Sequence, residues 1–172
     1  MSVLSPCCPT SSKVARKMIE LAEPKPGEVL YDLGSGDGVI LIEAAKKELY
    51  AVGIELNEDL VKESRKRIKK LGLDHLALVY IGSLLDCDLS KADIITSYLS
   101  PLAMRLLKPK LISEIKDGQR IVVHDFTIPD IEPERKKTII TPLSLLQPSP
   151  TYWLAPQSPF RRIALYTAEN LR

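Results

Sequence analysis

Residues 28–38 read Glu-Val-Leu-Tyr-Asp-Leu-Gly-Ser-Gly-Asp-Gly. Val29, Leu30, Tyr31 and Leu33 have the content of a short buried strand, and Gly34, Gly36 and Gly38 then make a turn. From Val39 the run Val-Ile-Leu-Ile-Glu-Ala-Ala-Lys-Lys opens a helix with an apolar stripe. A strand, a glycine turn and a helix in that order present unbonded backbone N–H groups and the positive end of a helix to a ligand. The missing side chains let that ligand reach the main chain. The stretch therefore calls for something flat and polar.

The glycine spacing separates two ligand classes. A dinucleotide site of the G-x-G-x-x-G kind needs a third glycine where this chain has Val39. The loop reads D-x-G-x-G-x-G instead, with Asp32 at the strand end. The next strand, Ala51-Val-Gly-Ile, closes on Glu55 about twenty residues further on, a spacing that suits a carboxylate holding ribose hydroxyls. This pattern resembles the first two motifs of class I S-adenosylmethionine-dependent methyltransferases. The resemblance implies an α/β, Rossmann-like fold: a mainly parallel sheet with helices on both faces and a C-terminal antiparallel hairpin. It implies S-adenosyl-L-methionine as cofactor, with Gly34, Ser35, Gly36 and Gly38 around the methionine part. Asp32 would order the loop and receive the ammonium, and Glu55 would accept both ribose hydroxyls.

A chain of 172 residues is one ordinary domain with room for a real core and little room for a separate substrate domain. Its expected parts are an N-terminal arm over 1–12, a cofactor-binding core over 13–127, and a proline-rich connection with closing strands over 128–172. A net charge of +2 gives no strong field for nucleic acid or membrane. No apolar run reaches spanning length or follows a basic start, so a soluble, cytoplasmic protein is expected. Cys7, Cys8 and Cys87 are an odd set without zinc spacing, read as reduced thiols, and no metal is expected. Asparagine occurs only at Asn57 and Asn170 and glutamine only at Gln119, Gln147 and Gln157, beside plentiful Lys and Glu, a bias of proteins from hot environments.

Along the chain, Lys13 to Ala22 has Val14, Met18, Ile19 and Leu21 on one helical face and is stopped by Pro24 and Pro26. Strands are expected at Tyr50–Ile54, Leu76–Ile81, Asp93–Tyr98 and Arg120–Phe126. A helix over Glu58–Leu71 is capped by Asn57, and helical segments follow Pro101 and fill Lys110–Lys116. Lys62, Arg65, Lys66, Arg67, Lys69 and Lys70 stud the capped helix; this reads as a solvated face, with an RNA or acidic-substrate patch as the alternative. Strands alternating with helices place a ligand at the carboxyl ends of the strands, where the glycine loop, Glu55, Ser83 and Tyr98 all fall. Seven of the thirteen prolines lie between Pro129 and Pro159, a loop-rich stretch with strands expected at Thr151–Leu154 and Arg161–Thr167.

The resemblance narrows on the remaining motifs. Pro9-Thr10 ahead of the first helix, the glycine loop, Ala51-Val-Gly-Ile-Glu-Leu-Asn, Ser97-Tyr-Leu-Ser-Pro, Leu107-Lys-Pro-Lys-Leu and Asp117-Gly-Gln-Arg-Ile-Val are similar to the small archaeal protein lysine methyltransferases. These resemble in turn the seven-strand histone lysine methyltransferases and mitochondrial relatives that modify an ATP synthase subunit. The similarity covers about Pro6 to Phe126. It implies a protein substrate methylated on lysine, Thr10 among the cofactor contacts, and Ser83 and Leu84 against adenine, with Asp86 as the competing adenine contact. At the fourth motif, Tyr98 would wall the amine channel and Thr96 and Ser97 would be polar neighbours of the methyl group. The tetrad Asn/Asp-Pro-Pro-Tyr of enzymes acting on poorly nucleophilic amines is absent, which favours an aliphatic amine. This chain departs from its relatives in carrying Cys7 and Cys8 where they have an aromatic residue, and Thr96 and Ser97 near where the histone enzymes have Asn. His124 and Asp125 are adjacent on a strand, so their side chains are expected on opposite faces and His124 outside the chemistry. An RNA methyltransferase, a small-molecule methyltransferase and a non-catalytic cofactor-binding partner are the other classes.

Overall fold

The computed structural model describes residues 9–140 and 159–171. Cys7, Cys8 and the strand expected over Thr151–Leu154 lie outside the described residues. In chain order the elements are α1 (Ser12–Leu21), β1 (Val29–Leu33), α2 (Val39–Ala45), β2 (Tyr50–Glu55), α3 (Glu58–Lys70), β3 (Ala77–Ile81) and β4 (Ile94–Ser97). They continue with α4 (Pro101–Glu114), β5 (Arg120–His124), β6 (Arg135–Ile140), β7 (Phe160–Thr167) and α5 (Ala168–Leu171).

The seven strands form one sheet in the order β3-β2-β1-β4-β5-β7-β6. β1 to β5 run parallel, and β7 lies antiparallel to both β5 and β6. The expected mainly parallel sheet with a closing antiparallel pair is thus present. Its two faces carry separate cores. On one, Leu30, Ala51, Val79, Ile94 and Val122 pack under α1, α2 and α3 through Met18, Leu41, Val61 and Ile68. On the other, Leu33, Ile95, Ile121, Val123 and Tyr166 pack under α4 and α5 through Met104, Leu107, Leu111 and Leu171. This alternation along β1 and β4 is the period-two pattern of a strand covered on both sides.

Local chemistry explains the helix starts. The Asn57 side chain accepts from the N–H groups of Asp59 and Leu60 at the head of α3, Ser11 does the same for Val14 in α1, and Ser100 for Ala103 in α4. One expectation needs correction, and one strand stands where none is expected. The separate helical segments after Pro101 and at Lys110–Lys116 are one helix, α4, that runs through Pro109. Pro109 and Arg105, whose carbonyl the proline leaves without its helical donor, are both exposed, on the side of the helix where a lost backbone bond costs least. Leu107 and Leu111 keep the buried stripe on the opposite side. The strand not expected is β6, which lies within the proline-rich stretch and pairs antiparallel with β7, with Arg135, Lys136, Lys137 and Thr138 exposed at the sheet edge.

Candidate functional site

The strand order reverses its direction of growth between β1 and β4, and a parallel sheet opens a crevice at the carboxyl ends on either side of such a point. The glycine loop leaves β1 there. Gly34, Gly36 and Gly38 have φ values of +80°, +51° and +78°, a left-handed series that side chains resist. The N–H groups of Gly34 and Ser35 both donate to the Ile54 carbonyl, at 2.9 and 3.1 Å, which pins the loop to the end of β2. Gly38 then serves as the N-cap of α2 and touches α3: a Cβ there would stand 2.0 Å from Ser64 Oγ.

Glu55 ties the loop from the other side. One carboxylate oxygen accepts from the Gly36 N–H at 2.9 Å and the other from the Asn57 N–H at 2.9 Å. The carboxylate is therefore fixed in plane at the crevice with a second lone pair on each oxygen. The part expected of Asp32, ordering the loop, falls to Glu55 among the described hydrogen bonds. Asp32 is buried at 2% exposure and accepts from the Thr96 hydroxyl at 2.8 Å across the β1–β4 pair. Burial pushes its carboxyl up to about 7, against the Thr96 hydrogen bond that lowers it, with the charges of Glu55 and Asp37 adding to the rise. Asp37 is itself paired with Arg67 of α3.

Thr96 and Ser97, expected side by side at the reacting methyl, face opposite sides of the sheet. Thr96 pairs with Asp32 on the α1–α3 side, and Ser97 pairs with Leu33, which packs toward α4. Ser83 and Leu84 follow β3 at the same edge. The Ser83 hydroxyl accepts from the Leu85 N–H at 3.2 Å and its carbonyl from the Asp86 N–H at 3.1 Å, a local turn that leaves Asp86 exposed. Leu84 is half-buried against the second core.

Tyr98 follows β4, and around it the structure assembles a group that strand alternation alone does not foretell. The His124 ring lies 4.0 Å from the Tyr98 ring at 34°, and Phe126 lies 6.3 Å away, nearly parallel at 17°. His124 Nδ1 is 3.2 Å from the Thr10 hydroxyl, so Thr10 sits beside β5 rather than against the glycine loop in any described contact. Burial pulls the His124 imidazole down to about 4, which keeps it neutral. The expectation that His124 and Asp125 point apart is corrected: Asp125 has φ +58°, which ends the pleat, and its Oδ2 lies 3.5 Å from His124 Nε2. The sequence signal for this turn was a short acid just past a strand end, a residue type that tolerates the left-handed region.

The basic helix face is partly committed inside the fold. Arg65 donates twice to the Val79 carbonyl, at 3.0 and 2.6 Å, and Arg67 donates to the Asp37 carbonyl at 2.8 Å as well as to its carboxylate.

With this geometry in place, the comparisons with known proteins are direct. A family model described as the ANTKMT methyltransferase domain matches residues 32–135. A protein-lysine N-methyltransferase of Saccharolobus islandicus is 40% identical over 125 residues, covering 72% of this chain and 78% of that protein. A Homo sapiens lysine N-methyltransferase for an ATP synthase subunit is 35% identical over 132 residues; the match takes in 77% of this chain and 56% of that longer protein. Among solved structures, an RNA methyltransferase from Salinibacter ruber in complex with S-adenosyl-L-homocysteine aligns over 94% of both chains, with 33% identity and a TM-score of 0.77.

Proposed function

Because the chain belongs to the ANTKMT methyltransferase domain family of S-adenosylmethionine-dependent class I enzymes, we propose that it transfers a methyl group to the side-chain amine of lysine in a protein. The residues present fit the cofactor: Glu55 offers two oriented acceptors to a pair of ribose hydroxyls, and the left-handed glycine loop beside it carries no side chains on Gly34 and Gly36 to bar a ligand from the main chain. When bound, the cofactor supplies an electrophilic methyl on a sulfonium sulfur. The buried Asp32 carboxyl receives the methionine ammonium directly or through water, and Ser83 or Asp86 meets the adenine amine beside Leu84.

The observation that carries the lysine reading is the aromatic end of β4. Tyr98 lies beside the rings of His124 and Phe126 at the edge that carries the glycine loop, and the relatives named above as lysine methyltransferases match over this stretch. A lysine amine has an ordinary pKa of about 10.4 and must be neutral to attack. Aromatic walls desolvate the ammonium and lower that value, and holding the amine in line with the sulfur removes much of the remaining barrier. Neutral amine chemistry of this kind needs no dedicated base, which accords with a His124 that is buried and committed to Thr10. The proposal includes a heat-adapted source, on the scarcity of Asn and Gln beside plentiful Lys and Glu, and an archaeal and cytoplasmic setting, on the similarity to the Saccharolobus islandicus protein.

The test is label transfer. Purified protein incubated with methyl-labelled S-adenosylmethionine and cell extract is expected to place label in protease-sensitive, ribonuclease-resistant material, recovered as methyl-lysine after hydrolysis. The RNA reading has one observation in its favour, the name of the Salinibacter ruber structure. Ribonuclease-sensitive label would select it and refute lysine.

Asp32 gives a second expected result. A carboxyl raised to about 7 in the fold from 3.8 keeps the folded protein protonated where the unfolded chain is not, so its contribution to stability falls as pH rises from about 4 to about 7. A cationic ammonium nearby draws the carboxyl back to its charged form. Cofactor affinity should therefore rise with pH through about 7, with release of a proton visible in calorimetry as a dependence on buffer ionisation heat. Asp32→Asn should remove both effects; an unchanged pH profile in that variant would place the titration elsewhere.

A further inference from the structure

Asp125 takes no part in the transfer as derived so far, yet three elements converge on it. It follows β5 in the left-handed region at φ +58°, and its carboxylate is buried. Oδ1 accepts from the Arg162 N–H at 2.9 Å, which locks the carboxylate to β7. Oδ2 accepts from the Arg161 guanidinium at 3.1 Å and from the Tyr98 hydroxyl at 3.3 Å. A non-glycine residue in this backbone region costs about 1 kcal/mol or more and is held only where surrounding contacts dictate it. Here the consequence of the turn is specific: it swings the carboxylate back onto Tyr98 when strand pleating would have carried it away.

The geometry points to Asp125 as the positioning residue of the amine site, acting through the Tyr98 hydroxyl, with Arg161 as its counter-charge. This rests on the placement of Tyr98 in the amine channel proposed above. The Tyr98 ring lies 4.0 Å from the His124 ring and 6.3 Å from that of Phe126, and its hydroxyl end is tied to Asp125. A buried carboxylate neutralised by Arg161 provides that anchor without drawing a proton from the substrate. His124, in contact with the same ring, is held by Thr10, so the arm ahead of α1 also contributes.

The test is a double-mutant cycle on kcat, KM and cofactor affinity. Asp125→Asn keeps a residue that accepts the left-handed turn, and Tyr98→Phe breaks the same contact from the other side without touching β5. Each is expected to lower kcat about tenfold or more, with cofactor affinity by calorimetry held within about twofold, since misplacement of a reacting group weighs on the rate. The double variant should be no slower than the slower single one. Parent kcat in either single variant, or a double variant whose loss is the product of the two, would overturn the proposal. Should the parent label RNA rather than protein, the lysine reading fails, and the same cycle read on that label still decides for or against Asp125.

Discussion

Glu55→Ala is expected to weaken S-adenosylmethionine binding by roughly a hundredfold or more in calorimetry, at about 1.5–3 kcal/mol for each of two hydrogen bonds to a charged group. The loss has two sources. The ribose hydroxyls lose a paired acceptor, and the Gly36 and Asn57 N–H groups lose the oxygens that hold them at 2.9 Å. Glu55→Gln should also bind poorly, although it keeps shape, because its amide nitrogen must face one of those two N–H donors. Both variants should still fold, since the loop keeps the Gly34 and Ser35 hydrogen bonds to Ile54. Parent affinity in Glu55→Ala would remove this carboxylate from the cofactor site.

Gly38→Ala is expected to be among the most destabilising single changes in the chain, by about 2–4 kcal/mol in denaturant unfolding. An added Cβ would lie 2.0 Å from Ser64 Oγ and 3.1 Å from Ser64 Cβ, and the residue would also have to hold φ +78°. Ser64 is on the buried side of α3, so the helix must shift away from the loop or the loop must move. Combining Gly38→Ala with Ser64→Gly separates the two terms. The steric part should be recovered, leaving about 1–2 kcal/mol from the left-handed backbone and the helix glycine. A double variant as unstable as Gly38→Ala would mean that backbone conformation alone makes glycine necessary there.

The two results bear on one design. Gly38 gives up a side chain so that α3 can approach the loop, and Glu55 supplies the rigidity that glycine lacks. The proposed ligand site and the packing of α3 would then meet at Gly36 and Gly38, two residues apart.

Much of this was readable from the order of residues, because it depends on neighbours along the chain. The glycine spacing, the acid closing the next strand, the Asn57 cap and the alternation of apolar strands with helices are local patterns, and each stands where expected. Where the reading failed, the cause was a partner distant in sequence. Charged Arg135–Ile140 becomes a strand because β7 offers an edge to pair with, and α4 passes Pro109 because Pro109 and Arg105 are exposed while Leu107 and Leu111 stay buried. Thr96 reaches Asp32 through the register of β1 on β4, which no spacing along the chain encodes. The turn at Asp125, which gathers Tyr98, His124 and Arg161, depends on contacts from β4, β5 and β7 together. Covalent order was enough to locate the glycine loop and the Glu55 carboxylate that ties it, since hydrogen-bonding needs there are met within a few dozen residues. The surroundings of Tyr98 needed the folded sheet, because hydrogen-bond partners more than 25 residues apart outweigh the local preference of the strand.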